Sequence, residues 1–208
     1  MSPLIAHEIR LNQIIDYAYT LFCNRVAGEA VHIDNEASMQ LHLSNILLQI
    51  GLLNQFSADE QFYIELEKHI ELVNPTSKTR KKARVDIWIE LKKGGKTCCA
   101  AALELKFLKK SDTPAVTDAR HSVYQDLENL EHYATQLDNL LICEIVCSDN
   151  LNFLENKGIK FSIAQSTDIQ SYPGDSTYNR IELSQQYPPI HWDQYGKYNF
   201  LKISPIIR

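Results

Sequence analysis

The chain has 208 residues, 44% of them hydrophobic and 23% charged, with a formal net charge of −5. That length and composition suffice for one well-buried core, so a single domain over residues 1–208 is expected. No segment approaches the roughly 20 apolar residues that span a bilayer, and the N-terminus lacks the basic start and apolar run of a signal peptide, which predicts a cytoplasmic protein with no membrane partner.

Ile5, Ile9, Ile14, Ala18 and Leu21 recur at helical spacing and predict an N-terminal packing helix over 4–25. A second helix is predicted from Asp34, its N-cap, to Gly51, its end signal, with Leu43, Ile46, Leu47 and Ile50 facing inward. Glu36 and Gln40 lie one helical turn apart and share a side of it. Residues 62–72 predict a strand in which Tyr63, Glu65, Glu67 and His69 alternate with Ile64, Leu66 and Ile70, although Lys68 falls on the apolar side.

Residues 84–91 and 98–107 are rich in Val, Ile, Leu, Ala and Trp, and Lys93-Gly94-Gly95-Lys96 joins them with paired glycines that accept positive φ. An antiparallel hairpin follows. With the turn centred on Gly95, paired positions sum to 190, which sets Asp86 opposite Glu104 and Arg84 opposite Lys106. Alternation then puts Val85, Ile87, Ile89 and Leu91 on one face with Leu103, Leu105 and Phe107, and Asp86, Glu104 and Lys106 on the other.

A crossover helix is predicted from Thr117 to Leu137, with Val123, Leu127, Leu130, Ala134 and Leu137 as its buried stripe and Arg120, His121, Tyr124, Gln125 and Glu128 opposite. Leu140 to Cys147 is an apolar run suited to a strand covered on both faces, interrupted by Glu144, which needs a partner. A short strand is expected at Ile159–Ala164. The tail over 187–200 is dense in aromatics, which suits base stacking, a dimer contact, or a strand packed back on the core. Cysteines at 23, 98, 99, 143 and 147 give an odd count without a Cys-x-x-Cys pair, which argues against disulfides and structural zinc.

Two carboxylates directly across a ladder repel unless something positive sits between them. Hard oxygens suit Mg²⁺, with Mn²⁺ as a substitute, and leave positions for water and a phosphate oxygen. Lys106 beside them can position or activate the attacking water or steady charge on the phosphate. Glu-x-Lys occurs three times, but Glu90-Lys92 runs into the turn and Glu155-Lys157 lies in a polar stretch, whereas Glu104-Lys106 follows a buried-looking run. Taken without its flanks, the hairpin is equally an amphipathic pair of strands with a solvated polar face. Of the 21 Lys and Arg, 11 fall within residues 78–110. Lys78, Arg80, Lys81, Lys82 and Arg84 crowd the approach to Asp86 and are candidate phosphate-backbone contacts, a solvated loop being the plainer alternative. There is no Walker loop, Gly-x-Ser-x-Gly elbow or His-Glu-x-x-His helix.

An aspartate on one central strand, Glu-x-Lys on the next, and this order of elements resemble the PD-(D/E)xK nuclease superfamily over residues 34–148. Asp86 matches the superfamily aspartate, Glu104 its acidic position and Lys106 its lysine; Val85 stands where a proline often precedes the aspartate. The resemblance implies an α/β protein with a restriction-endonuclease-like core, a mixed central sheet (αβββαβ) flanked by helices. The 4–25 helix and an aromatic-rich extension over 158–208 would lie outside that core. It implies a Mg²⁺-dependent endonuclease acting on nucleic acid, foremost DNA, in restriction or defence, with repair a lesser role. An RNase, or a non-catalytic nucleic-acid or protein-binding module, is the alternative. It also gives Glu36 a place at the metal site, although the helix macrodipole favours an acid there in any case. Gln40 is auxiliary, and Tyr124 or Gln125 is a candidate supporting residue, a solvated face explaining the latter two as well. With no dedicated specificity domain, sequence-specific cleavage calls for a homodimer or a partner subunit.

Overall fold

The structure is a computed structural model that describes residues 3–73, 80–109, 116–150, 171–172, 177, 179–189 and 191–206. Its elements are α1 (Pro3–Ala27), α2 (Glu36–Leu53), β1 (Glu60–Val73), β2 (Arg80–Lys93), β3 (Lys96–Leu108), α3 (Val116–Gln136) and β4 (Leu140–Ser148). The short strands β5 (Ser171–Tyr172), β6 (Ile181–Glu182), β7 (Asp193–Tyr195) and β8 (Tyr198–Ile203) follow. Six strands form a mixed sheet in the order β1-β2-β3-β4-β8-β7. Among the described residues only β3 and β4 run parallel, and α3 supplies the crossover that a parallel pair requires. Among the described residues no helix is long and apolar enough to cross a membrane.

Alternation along β3 and β4 feeds two cores. Cys99, Ala101, Leu103, Leu105, Cys143, Ile145 and Cys147 pack against α1 and α2. Ala100, Ala102, Ile142 and Val146 pack against Val123, Leu127 and Leu130 of α3. The chain is therefore α/β in three layers, and β4 is covered on both faces, as its apolar run predicts. All five cysteines are free thiols, and only Cys98 is not buried.

Several expectations about the helices need correction. In α1 Ile9 is exposed, and Leu11, Ile15, Tyr19, Phe22, Cys23 and Val26 extend the buried stripe. The N-cap of α2 is Asn35, not Asp34. Asn35 Oδ1 accepts from the Ser38 N–H at 2.8 Å while Ser38 Oγ accepts from the Asn35 N–H at 3.1 Å, a reciprocal cap that satisfies two orphan donors. Gly51 does not end the helix, which runs on to Leu53. It makes room instead: a Cβ there would lie 2.2 Å from the Phe62 ring. On α3, Arg120 and Tyr124 are buried and not part of a solvated face, and Leu137 is exposed.

The hairpin keeps its expected register from Ile87↔Leu103 to Leu91↔Cys99, but by a different route. Gly94 and Gly95, both at positive φ, close a turn flanked by Lys93↔Lys96, and a bulge next to Leu91 then adds the missing residue. The faces also depart from strict alternation. Ile87 and Ile89 enter the α1/α2 core, whereas Val85 enters the α3 core and Ala83 packs against it. On β1, Ile64 packs on the first core and Ile70 on the second, and Leu66 is exposed. Both strands change face between these points, where Glu67 has a φ of 56°. A left-handed residue other than glycine costs roughly 1–2 kcal/mol.

The expected strand at 159–164 lies outside the described residues. Four of the tail aromatics pack back on the core, the third of the expected roles. Tyr198 and Phe200 on β8 are buried in the α1/α2 core, Tyr187 and Trp192 in the α3 core, and β8 joins the main sheet beside β4. The sheet thus extends beyond the 34–148 core.

Candidate active site

The β2–β3 ladder ends at Ile87↔Leu103, and the strands part there. In place of a strand partner, the Leu105 N–H donates to Asp86 Oδ2 at 2.7 Å. That contact turns the Asp86 side chain toward β3, on the side where Glu104 lies close enough to feel its charge. Glu104 and Lys106 alternate with Leu103 and Leu105, so they face α3. The two predicted carboxylates therefore meet in the fork between the strands.

Lys106 reaches α3, where its Nζ lies 2.7 Å from Asp126 Oδ2. Glu36, the first residue of α2, is near enough to Lys106 and Asp86 for both charges to act on its carboxyl. One turn further, Gln40 Nε2 donates to the Asp86 carbonyl at 2.7 Å and to Glu67 Oε1 at 2.8 Å. Two helices and two strands thus deliver Glu36, Gln40, Asp86, Glu104 and Lys106 to one place.

Other candidates do not join them. Arg84 does not face Lys106: it pairs with His69 on β1, and its exposed guanidinium forms an ion pair with Glu67. Gln125 donates to Glu128 on its own helix, and the buried Tyr124 hydroxyl accepts from Arg120. Lys78 lies outside the described residues, as do the side chains of Arg80, Lys81 and Lys82, whose backbone pairs with β1. Lys92 and Lys93 sit by the turn, six and seven residues along β2 from Asp86, which at about 3.3 Å per residue puts them roughly 20 Å away. The basic residues do not all surround the acid pair.

Electrostatics make the fork unusual. Burial, the Asp86 charge and Asp126 push Glu104 up to about 9. Burial also raises Asp86, against the opposing Leu105 N–H, with Glu67 adding to the rise. Glu36 and Asp126 are raised by burial against the pull of Lys106. Burial disfavours the charged Lys106, yet Asp126, Glu36 and Glu144 outweigh it and keep its pKa above the ordinary lysine value, so it is an ammonium at neutral pH.

Glu144 lies beside Glu104 on β4, is fully buried, and among the described residues neither of its carboxyl oxygens has a hydrogen-bond partner. Desolvation there raises its pKa well above that of an ordinary carboxyl. The fork therefore gathers more carboxyls than one lysine can balance.

Among the described residues no set of three or more His, Cys, Asp or Glu side chains is placed to hold a metal. The donor chemistry nevertheless suits Mg²⁺, which is commonly bound through one or two carboxylates, with waters and phosphate oxygens completing its shell. Asp86 and Glu104 are such a pair, and burial with the Asp86 charge raises the Glu104 pKa, so that the two resist being ionised together.

The sequence reading missed Asp126 and Glu67 as neighbours of the site. Asp126 lies three residues after Val123 and four before Leu130, both buried, so helical phase places it on the inward stripe. A left-handed glutamate leaves no such signature. No protein-family model matches the chain, and neither a curated protein nor a solved structure matches it.

Proposed function

We propose that this chain is a metal-dependent nuclease of the PD-(D/E)xK kind, with a restriction-endonuclease-like core, that hydrolyses phosphodiester bonds, foremost in DNA. One observation carries the reading: the Leu105 N–H holds the half-buried Asp86 carboxylate at 2.7 Å, beside the buried Glu104 in a strand fork, with Lys106 on the Glu104 face of β3. Forcing two carboxyls together away from water is costly unless a cation uses them.

Asp86 and Glu104 would hold Mg²⁺ or Mn²⁺, with the Leu105 N–H fixing one Asp86 oxygen. Bound there, the cation would offset negative charge growing on the phosphate and ease deprotonation of the attacking water. Lys106, which Asp126, Glu36 and Glu144 favour as an ammonium, would contribute by stabilising charge on the phosphate. Asp126 holds that ammonium in place, and Glu36 adds a carboxyl near Lys106 and Asp86 from the α2 side. The exposed Arg84, two residues before Asp86, and the basic stretch from Lys78 to Lys82 are the candidate contacts to the sugar-phosphate backbone.

A restriction or defence role follows from the resemblance, and a homodimer or partner subunit would supply sequence specificity. A non-catalytic binding module on the same fold is the second reading. The lack of a three-residue metal set among the described residues favours it.

The test is cleavage of plasmid DNA, with an RNA substrate in parallel, by the purified chain with Mg²⁺ or Mn²⁺, with EDTA, and by an Asp86→Ala, Lys106→Ala double variant. Metal-dependent cutting lost in the variant supports the nuclease. Cutting of RNA alone makes it an RNase, and binding without cutting selects the second reading.

A further inference from the structure

We propose that Glu67 is a positioning residue for Asp86, acting through Gln40. The inference deepens the nuclease reading and rests on it for its functional consequence. Glu67 stands across β1–β2 from Asp86, between the pairs Leu66↔Ile87 and Lys68↔Val85. Its backbone adopts a φ of 56°, a conformation that only glycine takes without strain. Such strain persists where the surroundings impose it, and it concentrates at working sites.

The geometry states what the strain achieves. At this point both strands turn over, so that Ile64 and Ile87 face one core while Ile70 and Val85 face the other. Gln40 enters from α2, and its amide nitrogen spans the break, donating to Glu67 Oε1 at 2.8 Å and to the Asp86 carbonyl at 2.7 Å. The second Glu67 oxygen is buried and forms an ion pair with Arg84 Nε but accepts no hydrogen bond among the described residues, so Gln40 is the hydrogen-bond donor that Glu67 engages. Glu67 thus orients the Gln40 amide, Gln40 fixes the Asp86 backbone, and the Asp86 carboxylate is left aimed at the Leu105 N–H, 2.7 Å away. Glu67 need not touch substrate or cation for this.

Two variants separate positioning from mere folding. Glu67→Gly accepts the left-handed φ without strain but removes the acceptor for Gln40. Glu67→Gln keeps an oxygen acceptor of the same reach. For Glu67→Gly we expect an unfolding midpoint equal to or above that of the wild type. Its kcat on plasmid DNA should fall by about tenfold to a hundredfold at unchanged KM, as for a misplacement of about 1 Å. Hydrogen exchange at the Leu105 amide, which reports the Asp86 contact directly, should be faster. Glu67→Gln should largely restore both kcat and Leu105 protection.

Wild-type kcat and Leu105 protection in Glu67→Gly would overturn the proposal. So would a Glu67→Gln variant as impaired as Glu67→Gly, because the carboxylate charge and not the Gln40 hydrogen bond would then be what matters. Should the wild-type chain cut neither DNA nor RNA, the nuclease reading fails, while Leu105 exchange in the two variants still decides whether Glu67 positions Asp86.

Discussion

Lys106 Nζ lies 2.7 Å from Asp126 Oδ2, so the lysine of the Glu-x-Lys pair is held by the crossover helix. Both side chains are about three-quarters buried, at 22% and 23% exposure, which spares the pair most solvent screening. Asp126→Asn removes the charge and keeps the shape. It should cost about 1–2 kcal/mol in a urea melt. It should also lower kcat about tenfold or more, with little change in the KM for DNA, because the ammonium loses its anchor. An unchanged melt and unchanged kcat would mean that this ion pair holds nothing in place.

Glu104 offers a pH test with a defined sign. Its folded pKa, near 9, lies above its ordinary value of 4.5. Between those values the native state keeps a proton that the unfolded chain has lost, so stability is fullest below the lower value and declines as pH rises. Glu104→Gln, which cannot ionise, should therefore melt higher than the wild type at pH 8 in EDTA, by about 2–4 °C per kcal/mol of relief, and should lose that advantage at pH 5. The same variant should be inactive. Calorimetric melts at the two pH values decide it, and an equal gain at both would show that the relief is not electrostatic.

Glu60 behaves in the opposite sense. Arg10 meets both of its oxygens at 3.0 Å, and the Phe56 N–H adds a third contact at 2.9 Å. The Arg10 hydrogen bonds, against some desolvation, hold the carboxyl below its ordinary value of 4.5. This contribution is therefore complete above the ordinary value and disappears as pH falls through the lowered one. Glu60→Gln should lose about 1.5–3 kcal/mol at pH 7 and much less at the acid limit of folding. Urea melts from pH 7 down to pH 3 follow the difference.

Gly51 is a packing position on α2. Alanine would gain about 1 kcal/mol in helix propensity, but its Cβ would meet the Phe62 ring at 2.2 Å. Overpacking of this kind costs about 1–3 kcal/mol, so Gly51→Ala should be net destabilising. Adding Phe62→Leu should recover part of the loss, and a double-mutant cycle by urea melts measures the coupling.

Much of this site is legible in the sequence because strands obey a period of two. Alternation and paired glycines set the hairpin, and its 190 register survives from Ile87 to Leu91 because a bulge offsets the tighter turn, but the ladder stops short of Asp86 and Glu104, and the Leu105 N–H rather than strand pairing turns Asp86 toward β3. The αβββαβ order follows from the same periodicities and from the apolar run of β4. What stays hidden has local causes. Nothing in the residue type of Glu67 announces a left-handed backbone, so the change of face that places Val85 beside α3 cannot be foreseen. The tail aromatics suit a stacking surface and a core strand equally well, and only the pairing of β8 with β4 decides between them. Glu144 is recognisable as an acid in need of a partner, and among the described residues its oxygens find no hydrogen-bond donor.

The most direct test of the central claim is calorimetric titration of Mg²⁺, with Mn²⁺ as a second probe, into the wild-type chain and into an Asp86→Asn, Glu104→Gln variant. Saturable binding by the wild type that the variant lacks is the predicted result. Binding that survives in the variant, or no binding by the wild type with or without a DNA duplex, would contradict the assignment of Asp86 and Glu104 as a cation site.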